Sequence, residues 1–182
     1  REAGDRAVAR LNPRKVSTQR VPVVFENRLS GRLLRALAGA ISGPSIARGT
    51  SFLKDSLDKE IFAPDISVID DPHRLRGLRS KPFDGEGVAN ARRAIIDRGR
   101  LTTWLLDSTS ARQLGLASTG HAARGTSAPP SPAPTNFYME PGRLGRDELI
   151  KDIADGLLVT DLTGMGVNGV TGDYPPGAAG FW

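Results

Sequence analysis

Leu29, Leu33, Leu37 and Ile41 recur at steps of four, with Leu34 and Ala38 beside them. That spacing lays one apolar stripe along a helix over residues 28–41, and such a stripe must be covered by another layer. Directly before it, residues 16–25 are rich in β-branched side chains and lead into a strand over 21–25. Gly31 and Gly39 each weaken the helix by about 1 kcal/mol relative to Ala. The helix therefore depends on what it packs against. Gly43-Pro44 is its expected stop.

The rest of the chain reads as short alternating pieces. Residues 1–12 form the end of a helix, with Ala3, Ala7, Val8 and Leu11 at helical spacing and Pro13 as the stop. Residues 51–62 predict a second helix, with Leu53, Leu57 and Ile61 aligned and Ser51 as its cap, and 66–69 a short strand. Two apolar-rich runs, 91–96 and 100–106, flank Asp97-Arg98-Gly99, whose Gly can take positive φ; this predicts a hairpin. Residues 108–114 suggest a short helix. Residues 125–134 hold four prolines and are either a linker or a long loop; they cannot be a central strand. A strand over 135–139 follows. Next come an amphipathic helix over 146–155, carrying Leu149, Ile150 and Ile153 and capped by Gly156, and a strand over 157–162. Antiparallel-compatible strands with helices between them, and no regular βαβ alternation, predict an α+β fold: an antiparallel, β-rich domain with several flanking helices.

Composition limits the function classes. At 182 residues the chain can build one domain with a sizeable core. No apolar run reaches the length of a membrane span. The start at Arg1 and the apolar final residues 177–182, which resemble the beginning of a strand, predict an internal piece of a longer protein. On this reading residues 1–12 end a preceding helix or linker, and 13–182 form one domain cut short at its C-terminal end. Cysteine is absent, which removes disulfides and thiolate chemistry and is compatible with a reducing cytosol. The net charge of +5 is split into basic blocks (1–35 and 71–124) and acidic ones (36–70 and 125–182), with few aromatics. That pattern argues against a nucleic-acid interface, which favours one continuous basic stripe.

Several motifs have an ordinary structural reading. Residues 164–169 match G-x-G-x-x-G, but a dinucleotide site needs a helix at the third Gly. The following Gly and Pro residues deny it one. A glycine-rich turn is the plain alternative, and a sharper one is an edge against which a peptide backbone can lie. His121 lies in a small-residue loop as a hydrogen-bonding or solvated side chain. His73 with Asp70 and Asp71 forms either an Asp-Pro turn or a carboxylate-rich metal site. Asp84 and Glu86 are turn residues, no G-x-S-x-G elbow is present, and Trp104 is a core or interface anchor.

With these segments placed, the chain resembles the TldD/PmbA family, also described as modulators of DNA gyrase. The resemblance runs from about Leu11 to Trp182 and is carried by Gly39-Ala40-Ile41-Ser42-Gly43, Lys81-Pro82-Phe83-Asp84-Gly85-Glu86-Gly87, Ser110-Ala111-Arg112-Gln113-Leu114-Gly115-Leu116, Ser118-Thr119-Gly120-His121-Ala122, Thr171-Gly172-Asp173-Tyr174 and Gly177-Ala178-Ala179-Gly180-Phe181-Trp182. Together these look most like the PmbA (TldE) branch.

The resemblance implies a TldD/PmbA-like fold and a cytosolic heterodimer that trims short unfolded peptides, including peptide-antibiotic precursors. The TldD subunit carries H-E-x-x-x-H on the helix after the first strand, with zinc held by both His and a later Cys, and water activated by the Glu. Here the corresponding positions are Arg35, Ala36 and Ala40, and the Cys position falls beyond Trp182. The expectation is a non-catalytic TldE/PmbA-like subunit, with no catalytic or metal residues of its own. Zinc would belong to a TldD-type partner, and self-association is possible. Thr135, Asn136, Tyr138, Gly164 and Gly166 are the expected peptide-facing edge. The alternatives are a regulatory binding protein acting on DNA gyrase or its inhibitors, and an independent hydrolase using a metal at His73, Asp70 and Asp71.

Overall fold

The computed structural model describes residues 2–164, 166–174 and 177–182. Its elements are short, as the spread of Gly and Pro requires. The N-terminal helix α1 (Glu2–Val8) is followed by an irregular stretch past Pro13, and then by β1 (Val23–Phe25) and α2 (Asn27–Ala40). Arg1, also assigned to the first helix, lies outside the described residues. The stripe on α2 is covered as its spacing requires, but by two separate layers. Leu29 packs with Val159 and Leu162, while Leu37, Ala40 and Ile41 enter the main core. Thus α2 spans both hydrophobic clusters of the fold.

Gly43-Pro44, the expected stop, is not what ends α2, which stops at Ala40 with Ile41 as its C-cap; the pair instead begins α3 (Gly43–Ala47), with Pro44 in the first turn, where its missing N–H has no partner to lose. The helix expected over 51–62 does not form. Leu53, Leu57 and Ile61 face the core as the pattern requires. The backbone, however, pairs with the hairpin tip: Asp58 N–H donates to Leu101 O (2.8 Å), Ile61 and Phe62 N–H to Gly99 O (2.9 and 3.1 Å), and Leu101 N–H to Lys59 O (3.0 Å). Asp58 takes a φ of 60°, which no α-helix accommodates. Ser51 caps no helix; its hydroxyl donates to Ala40 O and accepts from Leu53 N–H.

The main sheet comprises β2 (Val68–Asp70), β3 (Arg93–Asp97), β4 (Arg100–Leu101) and, later in the chain, β7 (Phe137–Met139). Its order is β4-β3-β2-β7 and every pair is antiparallel. The β3–β4 turn has positive φ at Arg98 (46°) and Gly99 (84°), the handedness of a tight hairpin. A Cβ at Gly99 would lie 2.4 Å from Phe62 O. The second arm is shorter than its sequence run, because Trp104, Leu105 and Leu106 turn away from the ladder into the core.

The next helix, α4 (Ser108–Leu114), is held by a reciprocal cap between Asp107 and Ser110 and ends at Gly115 with φ 67°. The proline-rich segment is a loop of the same body. Within it β6 (Ser131–Pro132) pairs antiparallel with β5 (Ala122–Ala123), which precedes it, and Ala133 N–H donates to His121 O. The chain then passes through β7 to α5 (Arg146–Lys151), which ends before the predicted 155 and buries none of its residues. Gly156 is not its cap. It lets the chain pass Pro22, whose carbonyl lies 3.0 Å from where a Cβ would stand. Finally β8 (Leu157–Thr163) runs parallel to β1 and antiparallel to β9 (Gly177–Phe181), so the terminal apolar run is a strand. Among the described residues the named strands pair antiparallel apart from β1–β8, and the architecture is α+β as expected. Among the described residues no helix is long and apolar enough to cross a membrane.

Candidate functional site

The C-terminal half of α2 forms one wall of an open cleft of about 490 Å³, and the glycine-rich segment after β8 forms the other. From the helix come Arg32, Arg35, Ala36, Gly39 and Ala40. From the opposite wall come Gly164, Gly166, Val167, Gly169 and Tyr174, with Phe52 alongside. Arg35, Ala36 and Ala40, singled out in the sequence by what they lack, therefore share one concave surface.

Specific contacts hold the loop against the helix. The Arg32 guanidinium donates to the carbonyls of Leu162 and Gly164, the latter at 2.9 Å. One turn earlier Arg28 donates to Thr160 O at 3.0 Å. Glu26 accepts from Arg28, and that hydrogen bond, with the positive charge beside it, holds the Glu26 carboxyl below its usual range. On the other side Phe52 N–H donates to Gly169 O (2.8 Å), and the Phe52 ring lies against Gly172, where a Cβ would come within 3.0 Å of ring carbons. Gly172 also has φ 80°, so a side chain there would be both strained and crowded. Asn168 closes the turn. Its Oδ1 accepts from Val170 and Thr171 N–H, and its carbonyl accepts from Gly172 N–H. Among the described residues no helix follows Gly169, so the glycine-rich segment offers no helix N-terminus there. Met165, Pro175 and Pro176 of this region lie outside the described residues.

The family resemblance implies zinc on this helix in the TldD branch. The cleft does not fit it: among the described residues its lining holds no His, Cys, Asp or Glu. A guanidinium has no lone pair to donate and alanine has no donor atom.

The expected peptide-facing residues are split between two places. Gly164 and Gly166, with φ of 90° and 79°, line the cleft. Tyr138 belongs to the main sheet, and Thr135 and Asn136 directly precede its strand β7. Thr135 is buried, and its N–H and hydroxyl both donate to Asp70 (2.6 and 2.8 Å). Asn136 donates to Asp71 O and Ser80 Oγ and accepts from Arg79 N–H. Tyr138 pairs with Ile69 on edge strand β7, with the Arg74 guanidinium 4.8 Å from its ring centre. These five residues do not form one continuous edge. The inward turn of Thr135 follows from Asp70, a buried carboxylate that needs donors.

Asp70 also explains His121. The His121 ring is buried, with Nε2 3.1 Å from Asp70 Oδ2 and Nδ1 2.7 Å from Thr119 Oγ1. A carboxylate accepts, so His121 Nε2–H donates to Asp70. The order Thr–His–Asp matches that of a nucleophile relay. Here, however, Thr119 is buried and its oxygen accepts Leu106 N–H at 2.8 Å, so the network ties the core together. His73, Asp70 and Asp71 do not converge. His73 Nε2 bonds Asn90 Oδ1, Asp71 Oδ1 accepts His73 N–H in a turn, and Asp70 points inward. Asp84 holds its own turn, accepting from Glu86, Val88 and Ala122 N–H, while Glu86 accepts from Ser108 N–H at the start of α4.

Sequence reasoning missed Arg32, Phe52, Val167 and Gly169 as cleft residues. One signal was available: Arg28, Arg32 and Arg35 stand at spacings of four and three beside the leucine stripe, a row of cations along one flank of the helix.

Comparison with known proteins is consistent along the chain. Residues 18–182 match the PmbA/TldA metallopeptidase C-terminal domain. The chain is 46% identical over 177 residues to Metalloprotease PmbA of Escherichia coli O157:H7, covering 97% of this chain and 37% of that protein. It is 44% identical to the Metalloprotease PmbA homolog of Haemophilus influenzae, covering 97% of this chain and 38% of that one. Among solved structures, a Bacteroides thetaiotaomicron protein named for modulation of DNA gyrase superposes with a TM-score of 0.88 at 30% identity, over 99% of this chain and 39% of that chain. TldE from Thermococcus kodakarensis superposes at 0.69 with 26% identity, over 80% of this chain and 33% of that chain. The chain thus spans well under half the length of each of these relatives.

Proposed function

The chain belongs to the PmbA/TldD metallopeptidase family, and on that premise we propose that it is the non-catalytic, TldE/PmbA-like part of a two-subunit peptidase. A TldD-type partner supplies the zinc and the water-activating carboxylate, and this chain closes the cavity and holds an extended substrate. The substrates are short unfolded peptides, peptide-antibiotic precursors among them, and the setting is the cytosol. One observation carries the reading: where the family resemblance puts a metal, the cleft has Arg35, Ala36 and Ala40, which neither ligate nor transfer a proton at neutral pH. A family fold with a cleft that lacks donor atoms suits a subunit that binds.

Within this reading Gly164 and Gly166 hold the peptide, because their bare backbone lets another chain approach. Tyr138 on β7 offers a second, separate edge. Thr135 and Asn136 act only by fixing the start of that strand. The test is hydrolysis of a fluorogenic tetrapeptide by the purified protein alone, with added zinc, and with a TldD-type partner. Activity is expected only with the partner. Strong hydrolysis by this protein alone, stimulated by zinc, overturns the proposal. The gyrase-directed alternative draws on the name of the Bacteroides relative. It predicts capture of gyrase by the purified protein without any peptidase partner.

A further inference from the structure

Arg28, Arg32 and Arg35 occupy one flank of α2, and the first two are spent. Arg28 binds Thr160 O, and Arg32 binds Leu162 O and Gly164 O, so the row of guanidinium groups follows alternate carbonyls out of β8. Arg35 comes next, beyond the last of those carbonyls. It is exposed to the cleft and has no hydrogen bond or ion pair with any described residue. No Asp or Glu among the described residues lines the cleft, so no acidic lining group competes for its positive charge. Small and aromatic groups surround it: Ala36, Gly39, Val167, Phe52 and Tyr174.

We propose that this cleft takes the free C-terminal carboxylate of a short peptide, gripped by Arg35, with the last side chain against Phe52 and Tyr174. The planar guanidinium fork matches a carboxylate in two parallel hydrogen bonds. A single uncommitted guanidinium among apolar walls suits a monoanion better than a phosphate dianion. At a peptide terminus the carboxylate and the last side chain branch from one carbon, so one residue reaches both the cation and the aromatic wall. A cleft of about 490 Å³ lies within the size range of small-ligand sites. The inference rests on the peptide-binding reading above and adds which end of the peptide is held, and by which group.

The test is isothermal titration of the purified protein, alone and in a chelator-treated complex with its TldD-type partner. The probe is an unstructured tetrapeptide ending in Phe, as the free acid and as the C-terminal amide. The acid is expected to bind at least about tenfold tighter than the amide, the weight of a charge-assisted contact. Arg35→Gln should abolish that difference by weakening the acid far more than the amide. Equal binding of acid and amide overturns the carboxylate assignment while peptide binding stands. Failure of both forms to bind, alone and in complex, removes the underlying reading as well. An amidated peptide that regains the lost affinity through a penultimate Glu assigns the cleft to side-chain carboxylates and defeats the terminal one.

Discussion

Gly43 allows a quantitative test of how the core is assembled. It opens α3 where that helix meets α4, and it joins two of the segments that carry the family resemblance, 39–43 and 110–116. A Cβ at Gly43 would lie 2.2 Å from Ser110 Oγ, 2.6 Å from Ser110 Cβ and 2.9 Å from Leu106 Cδ2. Carbon atoms in good contact sit about 3.5–4.0 Å apart, so Gly43→Ala must displace Ser110 by roughly 1 Å. The backbone cannot retreat, because Gly43 N–H donates to Leu105 O at 2.8 Å. Ser110 cannot yield freely either, since it closes the reciprocal cap with Asp107. Overpacking of this kind costs about 1–3 kcal/mol, and a disturbed cap adds about 0.5–2 kcal/mol. The expected loss is about 2–4 kcal/mol, read as a lower urea midpoint at unchanged slope. Ser110→Gly removes the obstructing atoms, so the double variant should lose less than the sum of the singles by about 1–2 kcal/mol. A Gly43→Ala protein as stable as the parent, or strict additivity with Ser110→Gly, refutes the steric argument.

Three further outcomes follow from the contacts described. Asp70→Ala leaves the Thr135 N–H, the Thr135 hydroxyl and the His121 ring N–H buried without an acceptor, which should destabilise the fold by about 3–5 kcal/mol in denaturant titration; a loss under about 1 kcal/mol contradicts the network. Arg32→Ala frees the carbonyls of Leu162 and Gly164, and faster amide hydrogen exchange is expected across residues 166–174, with the main sheet unaffected. Because Arg28 lowers the Glu26 pKa, this pair stabilises the fold above the ordinary carboxylate value of 4.5 and loses its contribution as pH falls through the lower folded value. Carboxyl NMR titration should place Glu26 below 4.5 in the parent and nearer to it in Arg28→Ala.

Local sequence was enough wherever the deciding forces act within a few residues. The 3.6-residue period marked α2, the turn at Arg98-Gly99 marked the hairpin, and α4 emerged with its predicted bounds because Asp107, Ser110 and Gly115 cap it from within the segment. The loss of ligating chemistry at Arg35, Ala36 and Ala40 was legible for the same reason, since a side chain's donor atoms do not depend on its surroundings. Long-range partners settled the rest. Residues 51–62 carry a helical period, yet their N–H groups found carbonyls on the hairpin tip, and Asp58 gave up helical geometry to reach them. Thr135 reads as an exposed strand residue until a buried carboxylate 65 positions away claims both its donors. The cleft takes its shape from distant partners: Arg28 and Arg32 reach carbonyls of β8 and Gly164 some 130 positions further along, and Phe52 N–H meets Gly169 O more than 110 positions away. A pattern of residue types records which faces are apolar and which groups can donate; only the folded chain decides which donor meets which acceptor, because a buried polar group must take whatever partner the packing brings within reach.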